Sequence, residues 1–508
     1  MFNKILIANR GEIAVRIIRA CRELGIKTVA IYSETDSNSL HVLLADEAYP
    51  LNSNPKTAYL DVKEILRIAE RAQVDAIHPG YGFLSQNPKF AELVEKEGFT
   101  FIGPRAENIK LAGDKVFARK VAEKAGLKII PGSHGALRSL KAAIKVSEKV
   151  GYPVIIKAAL GGGGLGMRIV WNDEELTRVF NIAREEAKRG FGVGKIYIEK
   201  YLPNSRHIEF QIVADNYGNI IHLGERECSI QRRYQKLIEE SPSVVVDEET
   251  RSRIGELAVR FAERTGYTNV GTVEFLYNDG EFFFIEMNTR LQVEHGVTEM
   301  VTGLDLVKMQ IQIAGDKPLD IDQRDVSLRG WAMEVRINAE DPLQDFAPSP
   351  GKITDYREPG GPGVRVDSGV YEGFEVSDLY NPLIAKLIVW GRDRSEVISR
   401  LKRSLKEYVI SEIKTTIPLY LKIVEDPDFI SGNITTEYLI RKMPLFKESI
   451  EEEALNIAAA IAIAVTETKL PITPMPIAAE KSSGRKTLKK VPSGFSPWYL
   501  MKWLKRVR

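Results

Sequence analysis

The sequence predicts an α/β protein of three domains followed by a C-terminal tail. In the first domain, apolar strand patterns alternate with amphipathic helix patterns, as in a doubly wound parallel sheet. In the second domain a glycine-rich loop joins two short strand patterns, as a lid would. From residue 330 onward strand patterns predominate, as in an α+β domain. The 508 residues suffice for about three domains. We expect units at 1–113, 114–327, 328–446 and 447–508, with a lid subdomain at about 132–203.

The first domain begins with a βαβ unit. Lys4–Ala8 and Lys27–Tyr32 have strand patterns, and Gly11–Leu24 between them has the pattern of a helix that ends at Gly25. The alternation continues with helix Tyr59–Ala72, strand Ala76–His78, helix Pro88–Glu97 and strand Phe101–Gly103. The turn after the first strand lacks the glycine fingerprint of a pyrophosphate site, so this domain is not expected to bind a dinucleotide.

The third domain is predicted from four strand patterns, at Trp331–Asn338, Gly351–Tyr356, Val364–Asp367 and Leu383–Trp390. In the tail, Glu451–Thr468 is alanine-rich and helical. The last segment, Pro497–Arg508, has one apolar helical stripe opposite basic residues, formed by Leu500, Trp503, Leu504 and Val507. We expect this basic tail to dock on a partner protein, because exposed tryptophan is costly in water; a frayed terminus and a membrane surface are the alternatives.

Composition excludes several classes of protein. Apolar content is 44%, charged content 28% and net charge +2, so no global field attracts nucleic acid. Two cysteines, Cys21 and Cys228, cannot form a disulfide framework or a cysteine-based zinc site. The longest apolar run, Ile457–Val465, is too short to span a bilayer, and the first residues lead into a strand pattern. We expect a cytoplasmic protein without a membrane span.

The stretch Val154–Arg168 indicates a phosphate-binding lid. An apolar run ends in Lys157, and five glycines follow: Gly161, Gly162, Gly163, Gly164 and Gly166. Without Cβ atoms the backbone N–H groups can close around an anion, and the lysine supplies a positive charge. Met167-Arg168 exclude a P-loop, which needs Lys-Ser/Thr after its second glycine. A dinucleotide motif is disfavoured because a strand pattern follows instead of a helix, and a flexible linker because serine is absent.

A hairpin pattern supplies candidate metal ligands. Thr272–Tyr277 and Glu281–Asn288 flank Asn278-Asp279-Gly280. A three-residue loop would pair Glu286 with Thr272 and place Glu274, Glu286 and Asn288 on one face. A two-residue loop would put the two glutamates on opposite faces. Hard oxygen donors on one face suit Mg²⁺.

The segment Tyr197–Leu202 offers a hydrogen-bonding edge for a nucleotide base. Its pattern is that of a strand whose pairing ends at Pro203, so we expect free peptide groups at Glu199–Leu202.

Several motifs in order resemble a known family. Lys115, the lid after Lys157, the strand end Glu199–Leu202, Glu274 and Glu286–Arg290 follow the order of ATP-grasp enzymes. Four more motifs narrow the resemblance: His78–Leu84, Gln231–Lys236, Arg290–His295 and Arg336–Asp341. Together they resemble biotin carboxylase over residues 1 to about 445. The resemblance implies a pre-ATP-grasp domain, an ATP-grasp domain with a glycine-rich lid, and a C-terminal biotin carboxylase domain.

The resemblance implies a nucleotide site and a metal site. Glu274 and Glu286 would bind Mg²⁺, or Mn²⁺ as the alternative ion, with Asn288 nearby. The residues implied for ATP are Lys115, Lys157, Gly161, Gly162, Gly163, Gly164, Gly166, Glu199, Lys200, Leu202, His207, Gln231 and Leu276.

The resemblance also implies a reaction. Bicarbonate is a poor electrophile, so ATP would phosphorylate it to carboxyphosphate, which breaks down to CO₂ and phosphate before biotin is carboxylated. Glu294 would be the general base, and Arg336 would stabilise the anion of biotin. The residues implied for bicarbonate and biotin are Tyr81, Lys236, Arg290, Gln292, Val293 and Arg336. Because Arg290 lies close in sequence, we expect a lowered pKa at Glu294 and hence a weaker base.

Two positions depart from the family pattern. Tyr234 stands where histidine is usual, which leaves a ribose contact open. Gly296 replaces a proline after Glu294-His295 and predicts a looser loop around the base.

The resemblance implies partners. Met501-Lys502-Trp503 lies in a helical pattern, whereas a biotin attachment site lies in a β-hairpin, and the sequence shows no carboxyltransferase domain. The chain would act on biotin borne by a separate carrier protein, with a carboxyltransferase on another chain, and Arg19 and Glu23 match positions of a homodimer interface. Acetyl-CoA, propionyl-CoA and pyruvate stay open as final acceptors. A carbamoyl-phosphate-type ligase and a catalytically silent nucleotide-binding scaffold are the alternatives.

Overall fold

The structure is a computed structural model, and it describes residues 1–133, 135–137, 139–158, 167–191 and 194–467. The five lid glycines and the predicted helix Pro497–Arg508 lie outside these residues. No helix within them combines the length and the apolar character needed to cross a membrane.

The N-terminal part is a five-stranded parallel sheet with helices packed on it, in the strand order β3-β2-β1-β4-β5. In chain order its elements are β1 (Lys4–Ile7), α1 (Gly11–Glu23), β2 (Lys27–Tyr32), α2 (Leu40–Leu44), β3 (Glu47–Pro50), α3 (Val62–Arg71), β4 (Ala76–His78), α4 (Pro88–Lys96), β5 (Thr100–Phe101) and α5 (Ala106–Gly113).

Two details of this part differ from the prediction. The edge strand β3 has four residues and ends in Pro50, which is too short and too polar for its pattern to be recognised. Helix α3 begins at Val62 rather than Tyr59, because Asp61 caps it by accepting a hydrogen bond from the Glu64 N–H.

The middle part contains α6 (Lys115–Ala125), β6 (Lys128–Ile129), α7 (Leu140–Val150), β7 (Val154–Ala158), β8 (Arg168–Val170), α8 (Asp173–Phe191), β9 (Ile196–Lys200), β10 (Arg206–Ala214), β11 (Ile220–Arg232), β12 (Gln235–Ser241), α9 (Glu248–Arg264), β13 (Asn269–Asn278), β14 (Glu281–Asn288), α10 (His295–Thr302) and α11 (Leu306–Ala314). Strands β8, β7 and β9 form a small antiparallel sheet, and the glycine-rich segment lies between β7 and β8 in the sequence.

The C-terminal part contains β15 (Trp331–Asn338), β16 (Glu340–Asp341), β17 (Ala347–Pro348), β18 (Gly351–Lys352), β19 (Tyr356–Arg357), β20 (Val364–Ser368), β21 (Glu375–Val376), β22 (Leu383–Gly391), α12 (Arg394–Glu407), β23 (Val409–Ile410), α13 (Ile417–Ile423), α14 (Pro427–Ile430) and α15 (Tyr438–Glu467). The predicted strand Gly351–Tyr356 is two short strands that pair with different partners.

One nine-stranded sheet crosses the predicted boundary between the second and third domains. Its order is β20-β22-β15-β12-β11-β10-β13-β14-β6. The junction is the antiparallel pair β12 and β15, in which Glu239 lies opposite Glu334. This continuity brings side chains from β12, β13, β14 and β15 to one region of the sheet.

The first part packs tightly against the other two. Ile13 and Ile17 of α1 share one apolar core with Val307 and Ile311 of α11. Gly369, which follows β20, approaches the start of α1 so closely that a Cβ there would lie 2.6 Å from the Glu12 backbone nitrogen. Gly369 therefore packs directly against the backbone of the first βα turn.

Candidate active site

The centre of the site is the ammonium group of Lys236, from β12. It contacts three carboxylates: Glu209 at 2.5 Å, Glu294 at 2.6 Å and Glu274 at 3.0 Å. Burial alone would lower the pKa of Lys236, but the Cys228 thiol and these carboxylates raise it well above the ordinary value. The lysine therefore stays charged and holds together residues from β10, β12, β13 and the start of α10.

Glu294 lies between two cations. One carboxylate oxygen accepts a hydrogen bond from Lys236, and the other accepts one from the Arg336 Nη2 at 2.9 Å. Burial favours the protonated acid, yet Lys236 and Arg336 outweigh it and lower the pKa of Glu294. The pKa of Glu294 is lowered, as the sequence predicts, but the cations that contact Glu294 are Lys236 and Arg336 rather than Arg290.

Arg336 is itself fixed from behind by a buried acid. Its Nε donates to the Glu239 Oε1 at 2.7 Å. Burial is the main cause that raises the pKa of Glu239 to about 7, and Glu294 raises it further, while Arg336 opposes both. Arg336 thus bridges Glu239 and Glu294, which are both fully buried.

Arg290 has only neutral partners. It donates to the Gln86 Oε1 at 2.9 Å, to the Gln292 Oε1 at 2.9 Å and to the Leu291 carbonyl at 3.1 Å. Within the described ranges it makes no ion pair. Burial lowers the pKa of Arg290, although Glu294 partly offsets this effect. A guanidinium whose hydrogen-bond partners are all neutral suits a small anion.

The predicted loop of the metal hairpin is wrong. Asn278 pairs with Glu281, so the loop has two residues, Asp279-Gly280, and not three. Both loop residues have positive φ, as the tight hairpin turn requires. With this loop alone, the two glutamates would lie on opposite faces.

A β-bulge brings the glutamates back to one face. The register shifts between the pairs Phe275–Phe284 and Glu274–Glu286, and the extra residue is Ile285. Glu274 therefore lies directly opposite Glu286, and Asn288 lies opposite Thr272, so all three predicted ligands share a face. The sequence therefore predicts correctly that the three ligands share a face, but the cause is the bulge at Ile285 and not a three-residue loop.

The metal-ligand candidates are held by cations and amides. Glu274 Oε1 accepts from the Asn288 amide at 2.8 Å and from the Gln292 amide at 3.0 Å. Its other oxygen lies 3.2 Å from the His207 Nε2, and Glu286 lies 2.6 Å from the Lys115 ammonium. Despite burial, Lys236 and His207 lower the pKa of Glu274 well below the ordinary value. A charged carboxylate pair with an amide oxygen is a donor set that Mg²⁺ accepts.

Three of the nucleotide candidates, Lys157, Glu199 and Lys200, lie where β7 and β9 run side by side. Lys157 pairs with Glu199 at 2.6 Å, and Arg119 binds the other oxygen of that carboxylate. Lys200 donates to the carbonyls of Gly151 and Tyr152 at 2.9 and 2.8 Å. His207 lies opposite Leu276, and Gln231 lies opposite Lys236.

The prediction of free peptide groups in this segment is wrong at three positions. The Lys200 N–H donates to the Pro131 carbonyl at 2.7 Å, and the Tyr201 N–H donates to the Pro153 carbonyl at 3.0 Å. The Leu202 carbonyl accepts from the Ser205 hydroxyl at 2.6 Å. Residues 131 and 153 supply the missing partners, and their distance in sequence hides them.

Tyr81 lies in the loop between β4 and α4, and Val293 lies in the segment between β14 and α10. The Tyr81 hydroxyl is buried and has no hydrogen-bond partner among the described residues, while the Asn9 amide holds its carbonyl at 2.7 Å. The loop around it is strained, since Phe83 has a φ of 43°. The Val293 carbonyl accepts a hydrogen bond from the Lys386 ammonium at 2.6 Å.

The two departures from the family pattern lie in different settings. Tyr234 is an exposed residue of the two-residue turn between β11 and β12, with a φ of 67°. Gly296 does not loosen a loop, because it lies in the first turn of α10. A Cβ there would lie 2.4 Å from the Ile388 Cδ1 and 2.9 Å from the Glu334 Oε2, so the glycine permits close packing on β22 and β15.

Three buried charged residues support the predicted site residues but are not predicted from the sequence. They are Glu209, Arg226 and Glu239. Arg226 is fully buried and donates to the second oxygen of Glu209 at 2.6 Å. A signal for Glu209 exists in the sequence: it alternates with His207 and Gln211 in an otherwise apolar strand, which marks one polar face.

Comparison with known proteins reveals the family. The family models for the N-terminal and C-terminal domains of biotin carboxylase match residues 1–109 and 334–441, and that for the carbamoyl-phosphate synthase L chain ATP-binding domain matches residues 114–322. A pyruvate carboxylase subunit of Methanothermobacter thermautotrophicus is 54% identical over 86% of this chain and 90% of its own length. Biotin carboxylase 1 of Bacillus subtilis is 53% identical over 86% of this chain and 98% of its own length.

Solved structures agree with this assignment. The biotin carboxylase domain dimer of Hydrogenobacter thermophilus 2-oxoglutarate carboxylase, in complex with MgADP, ADP and bicarbonate, has a TM-score of 0.86 and 50% identity, over 88% of this chain and 99% of that chain. The biotin carboxylase of Campylobacter jejuni, in a β,γ-ATP complex, has a TM-score of 0.85 and 47% identity, over 87% of this chain and 99% of that chain.

The fold and the site define an ATP-dependent ligase of the ATP-grasp class. More narrowly, the chain belongs to the biotin carboxylase family. The predicted fold class, family and enzyme class are confirmed. The roles of individual side chains and the domain limits remain predictions.

Proposed function

We propose that this chain carboxylates biotin carried on a separate protein, using ATP and bicarbonate. The observation that carries the proposal is the buried carboxylate of Glu294, held between Lys236 and Arg336. A general base, a cation for the anion formed when biotin loses a proton, and the open guanidinium of Arg290 for bicarbonate lie within one site.

The first step is phosphoryl transfer to bicarbonate. It needs positioning and charge neutralisation, which Lys115, Lys157 and the glycine-rich segment supply. Glu274, Glu286 and Asn288 would hold Mg²⁺, which supplies charge neutralisation at the phosphates when bound. Arg290 would orient the attacking bicarbonate, since its hydrogen-bond partners are all neutral.

The second step needs a stronger base than the ion-paired Glu294. A carboxylate whose pKa is lowered by two cations is a poor proton acceptor. Carboxyphosphate, formed from bicarbonate in the first step, and biotin would compete with Glu294 for Lys236 and Arg336, and each ion pair lost raises the pKa of the acid. Binding of both would therefore activate the base to take the N–H proton of biotin, and the biotin nitrogen would bond to the CO₂ that carboxyphosphate releases together with phosphate.

Assays of ADP release test the function. We expect ADP release that depends on bicarbonate and rises when free biotin is added. Ammonia in place of biotin is the discriminating control, because a carbamoyl-phosphate-type ligase would respond to ammonia. A purified chain that binds ATP but shows neither bicarbonate dependence nor biotin stimulation would refute the proposal.

The partners follow from the same chemistry. We propose a biotin carboxyl carrier protein and a carboxyltransferase on other chains, and a homodimer interface that includes Arg19 and Glu23 of α1. Residues 470–508 are proposed to dock the chain on its partners. Deletion of that segment should leave nucleotide affinity unchanged and abolish co-purification with the carrier; retained co-purification would refute the docking role.

A further inference from the structure

Lys386 is a fully buried lysine next to the candidate base. It lies on β22, directly opposite Arg336 of β15, with an exposed fraction of 0%. Its ammonium donates to the Val293 carbonyl at 2.6 Å. Val293 immediately precedes Glu294, so the lysine binds the peptide group that joins these two residues.

Three acids from three elements surround this ammonium. Glu334 of β15 lies 3.7 Å away, Asp367 of β20 3.8 Å, and Glu12 of α1 3.9 Å. At these distances each attracts the charge without forming a hydrogen bond. Burial disfavours the charged lysine, but Glu12, Glu334 and Asp367 together keep its pKa above the ordinary value. The acids keep Lys386 charged, and its hydrogen bond goes to the Val293 carbonyl.

The peptide that Lys386 binds leads directly into Glu294. The segment between β14 and α10 is clamped on its other side by the His295 Nδ1, which donates to the Gln292 carbonyl at 2.9 Å. Between these two contacts, a change in the ψ angle of Val293 would break the hydrogen bond to Lys386 and move the Cα of Glu294. We propose that Lys386 is a positioning residue that sets the orientation of Glu294 through this carbonyl, an inference that rests on the proposed function.

The expected cost of losing this contact is a loss of rate and not of nucleotide binding. A displacement of about 1 Å at a reacting group lowers rates by roughly 100-fold. Lys386→Met should therefore reduce kcat for biotin-stimulated ADP release by about 10- to 100-fold. The KM for ATP should stay within about twofold, because Lys386 touches none of the nucleotide candidates among the described residues.

A double-mutant cycle separates positioning from a structural role. If Lys386 acts through Glu294, then Lys386→Met should have almost no further effect in a Glu294→Gln background. A purely structural defect would multiply with the loss caused by Glu294→Gln. Glu12→Gln is the matched control, since it removes one acid from the same ammonium without touching Val293, and its kcat should stay within about twofold of the parent.

Folding is tested with a compensated variant. Lys386→Met leaves Glu334 unpaired, so the double variant Lys386→Met/Glu334→Gln removes the stranded charge as well. A compensated variant with the parent melting temperature and a kcat within about twofold of the parent would overturn the inference. Biotin stimulation of the unmodified chain is measured first, and its absence would refute the proposed function and not the role of Lys386.

Discussion

Glu294 accepts hydrogen bonds from two cations and can also accept a proton, and a glutamine variant removes the second property. Glutamine at this position keeps the size of the side chain and its one amide oxygen can accept a hydrogen bond from Lys236 or from Arg336, but it carries no charge and cannot accept a proton. Glu294→Gln should lower biotin-dependent ATP cleavage by at least about 100-fold, the usual contribution of a general base. Steady-state ADP release with and without biotin measures this. Full activity in a folded variant would remove Glu294 from the mechanism.

Glu239 and Glu240 form a natural pair for testing Arg336. They are neighbours on β12 and are both buried, but Glu239 binds Arg336 while Glu240 binds Arg394 at 2.8 Å. Glu239→Gln should lower kcat/KM for biotin about 10-fold, equal to about 1.4 kcal/mol, because Arg336 loses its charged support. Glu240→Gln should leave kcat/KM within about twofold of the parent value. Equal losses in both variants would indicate a general packing defect.

Glu12 should make stability depend on pH. Burial raises its pKa to about 7, Asp367 raises it further, and Lys386, Arg365 and Arg16 lower it. In the unfolded chain the carboxyl has its ordinary pKa of 4.5, so between about 4.5 and 7 the native state holds the proton more tightly. The free energy of unfolding should therefore fall as pH rises through this window and stay level above it.

Glutamine at position 12 should remove that dependence. Denaturant unfolding of Glu12→Gln and the parent at about pH 5 and about pH 8, on either side of the folded-state pKa, measures the difference. The variant should gain stability relative to the parent on going to the higher pH, by on the order of 3 kcal/mol at most. An equal difference between the two proteins at both pH values would contradict the assignment.

At the scale of elements, the bulge at Ile285 lets Glu286 lie opposite Glu274 although the loop has two residues. Deleting Ile285 would remove the bulge and still leave Glu286 opposite Glu274, because Glu286 would take the place of Ile285 in the register of the two-residue loop. The deletion should therefore leave the Mg²⁺ concentration needed for nucleotide binding within about twofold of the parent value, whereas Glu286→Gln should raise it by about 10-fold or more, since one charged ligand is lost. Ile285→Ala keeps the bulge and serves as the control. A folded Glu286→Gln variant with the Mg²⁺ requirement of the parent would show that Glu286 is not a ligand.

The same hairpin shows what the sequence can and cannot predict about elements. Alternation of polar and apolar residues predicts strands β13 and β14 and the face shared by Glu274, Glu286 and Asn288. It cannot predict a bulge, because the extra residue depends on packing that involves the Phe275 and Phe284 side chains in the core. The predicted free peptide groups of Lys200 and Tyr201 are wrong for a related reason, since their partners come from residues distant in sequence.

At the scale of the whole molecule, the order of motifs along the chain predicts fold and family, whereas buried charges are not predicted. Lys386 is the one charged residue of an otherwise apolar strand, and Glu239 stands beside a second glutamate in β12, so neither pattern marks a buried charge. Their burial becomes visible only when β12, β15 and β22 join one sheet and α1 covers it. A network of charges that spans three predicted units depends on tertiary pairing, which local patterns do not encode.

Contact between the first and third parts of the molecule should be sensitive to one methyl group. At Gly369 a Cβ would lie 2.6 Å from the Glu12 nitrogen and 2.8 Å from the Gly11 carbonyl carbon, both backbone atoms that cannot rotate away. Gly369→Ala should therefore separate α1 from β20 and lower the free energy of unfolding by about 1–3 kcal/mol, as overpacking does. Gly360→Ala is the matched control, because nothing lies within 4 Å of a Cβ there. Thermal unfolding of both variants measures the effect, and equal melting temperatures would show that the two parts can shift apart without cost.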